Sequence, residues 1–543
     1  MSLKDDLAKF YWAKMRAVEE YKKLRFDRAL AFIQVAATYA WNLHLGIWYD
    51  EELESLLFAI GKEIRRKMID KQPNLELKKV NPRIGHIVSE LSSIGGHSKA
   101  CGQWINALSG VCEQYLYITN AANFRLKTEE HQIKGCYVRI IHYRRRSITK
   151  GIEQLIRWLE KDSPEVLVLY IHPNDVVAVA ALNGLKKKPY VLFFNHADYQ
   201  FWLGKNIIDL LVEWRSESFK YSMRYRNIKK AVLIPLIVDE KVMAEPKDFL
   251  KKKFGIPSNA TLSVTIGSSH KVKGDPQLDY FKTVEEILRI NPNHFHISVG
   301  TPKNKSAISS DVKNRFLLFE PTPNVEELYN AADFIIETFP EIGGTVRVEA
   351  MSHKLPIVAF HNKKFSLLSD TNALPSNYPL IASSMEEVIT CATCLIKDPE
   401  LRKKLGSHLY SYYMKNFNKG KLQDLIRNAI TMQINKLQAA EKTAEKFEYD
   451  PEYVYNWTKT SKDIQLNKAL LVLASKMRLF SFRERMNFYS IGFVRGEFNN
   501  TIQKIKYLVF AVLGSYCDHL RLIFYSIKLN LLGSKLSRVA VRY

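Results

Sequence analysis

Glu341 and Glu349 stand with seven residues between them in the stretch ETFPEIGGTVRVEAMSHKLPIVAF, residues 337–360. Gly343, Gly344 and Thr345 lie between them, and an apolar run with a proline follows. A carboxylate accepts hydrogen bonds from hydroxyl groups, whereas its charge makes it a poor partner for phosphate. Adjacent glycines let the backbone pass close to a ligand. A helix beginning near Thr345 would add unpaired N–H groups and a dipole that favour an anion. The combination suits a diphosphate flanked by two hydroxyl-bearing groups, such as a sugar and a ribose. Spacing alone leaves equally open a capped surface helix with a glutamate on its face.

These residues need a scaffold that ends a strand, turns sharply and starts a helix. Residues 1–78 read as helices: DRALAFIQVAATYAWNLHLG has apolar residues at helical spacing and ends at a glycine. From residue 83, short apolar runs alternate with helical segments: RIGHIVSEL, EQYLYIT, YVRIIHY, EVLVLYIH, YVLFFN and AVLIPLIV. After residue 255 a second series follows: TLSVTIG, HFHISVG, RFLLFEP, DFIIETF and LPIVAF. Strands alternating with helices imply parallel sheets covered on both faces. The expected fold is α/β, two Rossmann-like domains facing a cleft, with helical additions at both ends. Its boundaries are expected at 1–78, 79–240, 241–440 and 441–543, with the join near EPKDFLKKKFGIPSN. Ligands bind such sheets beyond the carboxyl ends of the strands. That puts PEIGG, after the strand DFIIETF, at a binding edge. Ser383 or Ser384 is the expected cap of a helix carrying Glu386 and Glu387 in its first turn.

Glu341-Ile-Gly-Gly followed by Glu349-Ala-Met-Ser-His-Lys-Leu-Pro-Ile-Val resembles the E-x7-E signature of retaining glycosyltransferases of the GT-B class, family 4 especially. VEELYNAADFIIETF and KDPELRKKLG resemble the family's segments before and after it, and the resemblance covers roughly residues 83–425. It implies that Glu341 contacts donor-sugar hydroxyls and Glu349 the nucleotide ribose. TIGSSHKVKGDP, residues 265–276, resembles the family's G-R-x-x-x-x-K-G, whose Arg and Lys hold the donor diphosphate. Lys273 and Gly274 stand in register, but Ser268 occupies the Arg position, so Lys271 or His270 would supply the charge. Gly95 and Gly96 open a helix after the first strand, a loop that in similar enzymes approaches the diphosphate or the acceptor. His196, just after YVLFFN, matches a histidine beside the donor sugar. Catalytic roles therefore fall to Glu341, His196 and Lys273. Donor binding falls to Glu349, Gly343, Gly344, Thr345, Ser268, Lys271, Gly95 and Gly96. Phe201 and Trp202 read as packing, and His172 and Asp175 as loop structure. Lys-x-Asp-Pro and ETFPEIGGT also resemble O-linked N-acetylglucosamine transferases, although the tetratricopeptide period of about 34 residues is absent.

No cofactor and no metal are expected; the donor is a UDP- or GDP-sugar used as substrate. The acceptor is a glycan, a lipid-linked molecule or a protein. Front-face retention needs no dedicated base, which suits a site with no evident nucleophile and base. A sugar-nucleotide epimerase of the same class is the alternative within enzymes, and a basic nucleic-acid-binding protein the alternative outside them. The chain of 543 residues carries a net charge of +24, which attracts phosphates of any kind. Basic and aromatic residues form no nucleic-acid motif, so nucleic acid is not the expected partner. Residues 451–543 hold 15 Lys and Arg against 5 Asp and Glu, interleaved with Phe, Leu, Ile and Tyr. That pattern suits an anionic membrane surface. MSLKDDLAKFYW does not read as a signal peptide, and no run reaches the roughly 18 uninterrupted apolar residues of a span. The expected location is the cytoplasm, with peripheral attachment to the inner face of the membrane. Six scattered cysteines fit a reducing compartment, and Cys391 and Cys394 read as one packed helix face rather than a zinc site.

Overall fold

A computed structural model describes residues 2–69, 82–91, 96–119, 135–142, 147–238, 245–273, 275–301, 308–322, 325–369, 373–430, 449–461 and 484. The chain opens with three helices, α1 (Leu3–Lys22), α2 (Phe26–Leu43) and α3 (Glu51–Lys67). The first α/β unit follows: β1 (Arg83–Val88), α4 (Gly96–Ala107), β2 (Glu113–Ile118), β3 (Cys136–Ile140), α5 (Ile148–Asp162), β4 (Val166–Tyr170), α6 (Val176–Gly184), β5 (Tyr190–Phe194), β6 (Leu210–Glu213), α7 (Ser216–Tyr225) and β7 (Ala231–Leu233). The second comprises α8 (Lys247–Lys253), β8 (Thr261–Ile266), α9 (Tyr280–Ile290), β9 (His294–Val299), β10 (Phe316–Phe319), α10 (Glu326–Ala331), β11 (Phe334–Ile336), α11 (Gly344–Ser352), β12 (Ile357–Phe360) and β13 (Ile381–Ala382). The helices α12 (Met385–Lys397), α13 (Pro399–Asn416), α14 (Lys419–Ile430) and α15 (Pro451–Ser461) follow it in the chain.

Among the described residues, seven strands form one sheet in the order β3-β2-β1-β4-β5-β6-β7, and six form another, β10-β9-β8-β11-β12-β13. The ladders within both sheets are parallel. The apolar run of β4 is buried at every position, as a strand covered on both faces requires. Each sheet reverses its winding beside its first strand, between β1 and β4 and between β8 and β11. A crevice opens at that switch point, beyond the carboxyl ends. The loops after β8 and β11 therefore meet, and they carry Lys271 and Glu341.

Two strands were not expected from the sequence. β6 has only four residues, follows Asp209 and ends on the wholly buried Glu213. β13 has two residues. α2 stops at Leu43 because His44 turns left-handed, two residues before Gly46. Both serines before α12 take part in its cap: the Ser384 hydroxyl accepts from Glu387 N at 3.2 Å, and Ser383 N donates to the Glu387 carboxylate at 2.6 Å.

The helical additions pack on the α/β units. α14 returns to the first unit, where Leu422 and Ile426 share a core with Trp104 and Ile105 of α4. α3 lies against α6 so closely that a Cβ on Gly61 would overlap the Ala180 carbonyl oxygen. Glu54, one side of that contact, is buried and accepts from Gly204 N at 2.6 Å. Residues 463–543, the basic tail, lie outside the described residues except for Glu484, which pairs with Arg16 and Arg28. Among the described residues, no helix is long and apolar enough to cross a membrane.

Two stability predictions follow from the α3 contact. Gly61→Ala forces backbone apart, so unfolding should occur at lower denaturant, with a loss of about 1–3 kcal/mol. Burial pushes the Glu54 carboxyl up to about 7 from an ordinary 4.5. The folded state then holds its proton more tightly than the unfolded chain. Its stabilising contribution is complete below pH 4.5 and is lost as pH rises through 7. Glu54→Gln should flatten that part of the decline in melting temperature between pH 5 and pH 7; an unchanged slope would remove Glu54 as its source.

Candidate functional site

The β11–α11 connection is fixed from beneath. Glu337 and Arg347 are buried, and the arginine donates from Nε and Nη2, one guanidinium edge, to the two carboxylate oxygens at 2.6 and 2.7 Å. Between them the chain turns outward, and the Thr338 hydroxyl donates to the Glu341 carbonyl at 2.7 Å. Glu341 is 7% exposed. Lys271 Nζ stands 3.0 Å from Glu341 Oε1, His270 Nε2 3.6 Å from Oε2, and the Tyr199 hydroxyl donates to Oε1 at 3.4 Å. Lys271 Nζ also donates to the Ile342 carbonyl at 2.7 Å. Burial and the Glu341 and Asp198 carboxylates hold the Tyr199 hydroxyl well above its ordinary pKa.

Gly343 precedes α11, which no side chain caps, and Thr345 lies in its first turn. The helix start is thus left with backbone N–H donors for an anion. A Cβ on Gly344 would run into the Trp214 ring of the first unit. The second glycine is therefore demanded by contact between the units, apart from any ligand. Glu349 lies about a turn further on. Its Oε2 accepts from the Tyr329 hydroxyl at 2.8 Å, and Lys99 Nζ of α4 stands 3.3 Å from Oε1.

The loop after β8 divides its charges. Ser268 is exposed and precedes a 3-10 turn, Ser269–Val272. Lys271 turns inward to Glu341. Lys273 is exposed, and its carbonyl accepts from the Trp457 indole at 3.1 Å. Gly274 lies outside the described residues. The structure thus brings Lys271 rather than Lys273 against the carboxylate.

In the first unit Gly96 begins α4, and Gly95 lies outside the described residues. His196 is half-buried after β5, its ring 6.4 Å from that of His172. The same loop supplies Tyr199 to Glu341, a contact that no spacing in the sequence announces. Asp198 is buried against Arg215 at 2.6 Å; burial raises its pKa, and Arg215 and Arg226 oppose the rise. Phe201 and Trp202 are core residues. Asp175 caps α6 and accepts from Ser89 at 2.6 Å. Lys99, Tyr199 and Trp214 were not anticipated because each reaches its partner from the first unit, nor was Tyr329, which meets Glu349 from α10. Among the described residues no group of three or more His, Cys, Asp or Glu gathers as metal ligands would. Cys391 and Cys394 lie on α12, half-buried and exposed.

No protein-family model matches the chain, and no curated protein matches it. Solved structures do. A glycosyltransferase from Rickettsia africae aligns with a TM-score of 0.52 at 13% identity, over 66% of this chain and 100% of its own. HepE of Anabaena, in complex with UDP-glucose, gives 0.50 at 12% identity, over 64% and 99%. Sucrose-phosphate synthase from Thermosynechococcus elongatus gives 0.50 at 13% identity, over 65% and 99%. Two parallel sheets of seven and six strands, helices on their faces and a cleft at their carboxyl ends give this chain the GT-B fold of those proteins.

Proposed function

We propose that the cleft binds a nucleotide sugar and transfers its sugar to an acceptor with retention of configuration. The observation that carries this reading is the meeting of the two switch-point loops: Lys271 lies 3.0 Å from Glu341, and the uncapped start of α11 stands between Glu341 and Glu349. A diphosphate fits the N–H groups at Gly343–Thr345 and the positive charge of Lys271, with Lys273 at the loop's exposed side. Glu349 accepts the ribose hydroxyls, Glu341 those of the sugar, and His196 faces the sugar from the first unit. The solved relatives support this: HepE was solved with UDP-glucose and with UDP.

Magnitudes allow the exchange that binding requires. The Lys99–Glu349 pair is half-exposed on the lysine side. Such a pair contributes about 0–1 kcal/mol. A hydrogen bond from a ribose hydroxyl to a carboxylate contributes about 1.5–3 kcal/mol, so the ligand displaces the lysine at little cost. As the glycosidic bond breaks, negative charge grows on the diphosphate. Lys271 and the α11 start, already in position, lower the energy of that state. With donor and acceptor on one face of the sugar, the leaving diphosphate can accept the acceptor's proton, and no enzymic base is needed. The acceptor belongs to the class of glycans, lipid-linked molecules or proteins; a membrane role for residues 463–543 rests on charge pattern alone.

Turnover of UDP- and GDP-sugars, followed by mass spectrometry, should release UDP or GDP together with a glycosylated acceptor. Proton NMR of the product should report the anomer of the donor. Glu349→Gln should weaken UDP or GDP binding about 10- to 100-fold, because an amide is the poorer acceptor. Unchanged affinity in a folded variant, by calorimetry, would remove Glu349 from the ribose site.

A further inference from the structure

Helix α15 lies outside both sheets, yet it touches the floor of the site. Trp457 is wholly buried, and its indole N–H donates to the Lys273 carbonyl at 3.1 Å. Its ring meets that of Tyr199 edge-on at 6.0 Å, and Tyr199 in turn reaches Glu341. Tyr453, four residues earlier and so on the same helical face, donates to Asp275 Oδ2 at 2.8 Å. The Tyr453 hydroxyl also accepts from Asn362 Nδ2 at 3.1 Å, and Lys364 Nζ stands 3.7 Å from the same Asp275 oxygen. The opposite side of α15 is tied to the first helices. Thr458 Oγ1 donates to the Leu43 carbonyl at 3.0 Å, and the Tyr455 hydroxyl donates to Asp6 Oδ2 at 2.8 Å.

Among the described residues, the loop so held contains no helix or strand beyond a single short turn. It contains one four-residue 3-10 turn, closed by Lys271 N donating to the Ser268 carbonyl at 3.0 Å, before an extended Lys273. At Lys271 the loop is tied to the β11–α11 connection, where Glu341 N donates to the Lys271 carbonyl at 3.3 Å. At 273 and 275 it is tied to α15 instead, through Trp457 and Tyr453.

We propose that Trp457 and Tyr453 are positioning residues for the loop Ser268–Asp275, so that recognition of a ligand's diphosphate depends on a helix outside the two α/β units. This rests on the nucleotide-sugar reading above. Neither side chain need touch the ligand: each fixes the backbone from which Lys271 and Lys273 project. Nucleoside recognition falls to Glu349, held by Tyr329 and Lys99 rather than by α15, and so does not depend on them.

The test compares diphosphates with monophosphates on the full chain. Calorimetry with UDP, UMP, GDP and GMP is run on the wild type, Trp457→Phe and Tyr453→Phe. Each phenylalanine keeps the ring and loses the donor. Each variant should lose about three- to tenfold in affinity for UDP or GDP, as expected for one hydrogen bond, and less than twofold for UMP or GMP. Equal losses for both ligands would mean a general structural role and would overturn the proposal, as would no loss at all. If Trp457→Phe fails to fold, Tyr453→Phe, which removes a single oxygen, decides alone. A wild type that binds none of the four nucleotides sinks the nucleotide-sugar reading, and the positioning proposal with it. A wild type that binds without a selective loss in the variants sinks only the positioning proposal.

Discussion

The buried pair of Glu337 and Arg347 sets the position of everything around the cleft. Its net contribution to stability is small, because desolvating two charges cancels most of their attraction. What it provides is geometry. Arg347 also donates to the Ser369 carbonyl at 3.0 Å, and Glu337 Oε2 accepts from Phe360 N at 3.1 Å. One ion pair thereby joins the end of β11, the first turns of α11, the end of β12 and the turn beyond it. Glu341 hangs in the loop between the two partners, and Glu349 follows Arg347 by two residues on the same helix. Removing either partner would leave a buried charge without its counter-ion and release both carboxylates together.

Much of the fold was readable because parallel strands buried on both faces are apolar throughout. VLVLY and YVLFF need no alternation to be recognised, whereas TLSVTI shows itself by alternating. β6 escaped because its last residue is an acid, and Glu213 is tolerated there only through Asn195, Ser218 and Ser222, which hydrogen-bond to it. β13 is too short to leave a pattern. The α2 stop was misplaced because the left-handed residue is His44 and not a glycine.

The candidate site was half readable. Its two carboxylates and the glycines between them lie on one continuous stretch, where the spacing of Glu341, Gly343, Gly344 and Glu349 carries information. The site residues from the first unit do not. Lys99 lies 250 residues from Glu349, and Tyr199 lies 142 from Glu341, so folding alone brings them together. Gly344 shows how one signal can have two causes: a bare backbone suits an anion, and it also makes room for Trp214. In the β8 loop the family's register points to Lys273, whereas the fold sets Lys271 against Glu341.

The ties between α15 and the first helices bear on how the protein is made. The buried Asp6 and its partner Tyr455 are 449 residues apart, and His44 meets Tyr449 at 2.9 Å. At about 5–20 residues per second, a ribosome delivers the second partner roughly 20–90 s after the first. For that interval the end of α2, with Trp48, lacks the surface that later covers it, and the β8 loop lacks its support. Maturation of the cleft thus follows the emergence of both sheets. A nascent chain stalled before residue 450 would hold two assembled sheets and an unfinished site between them.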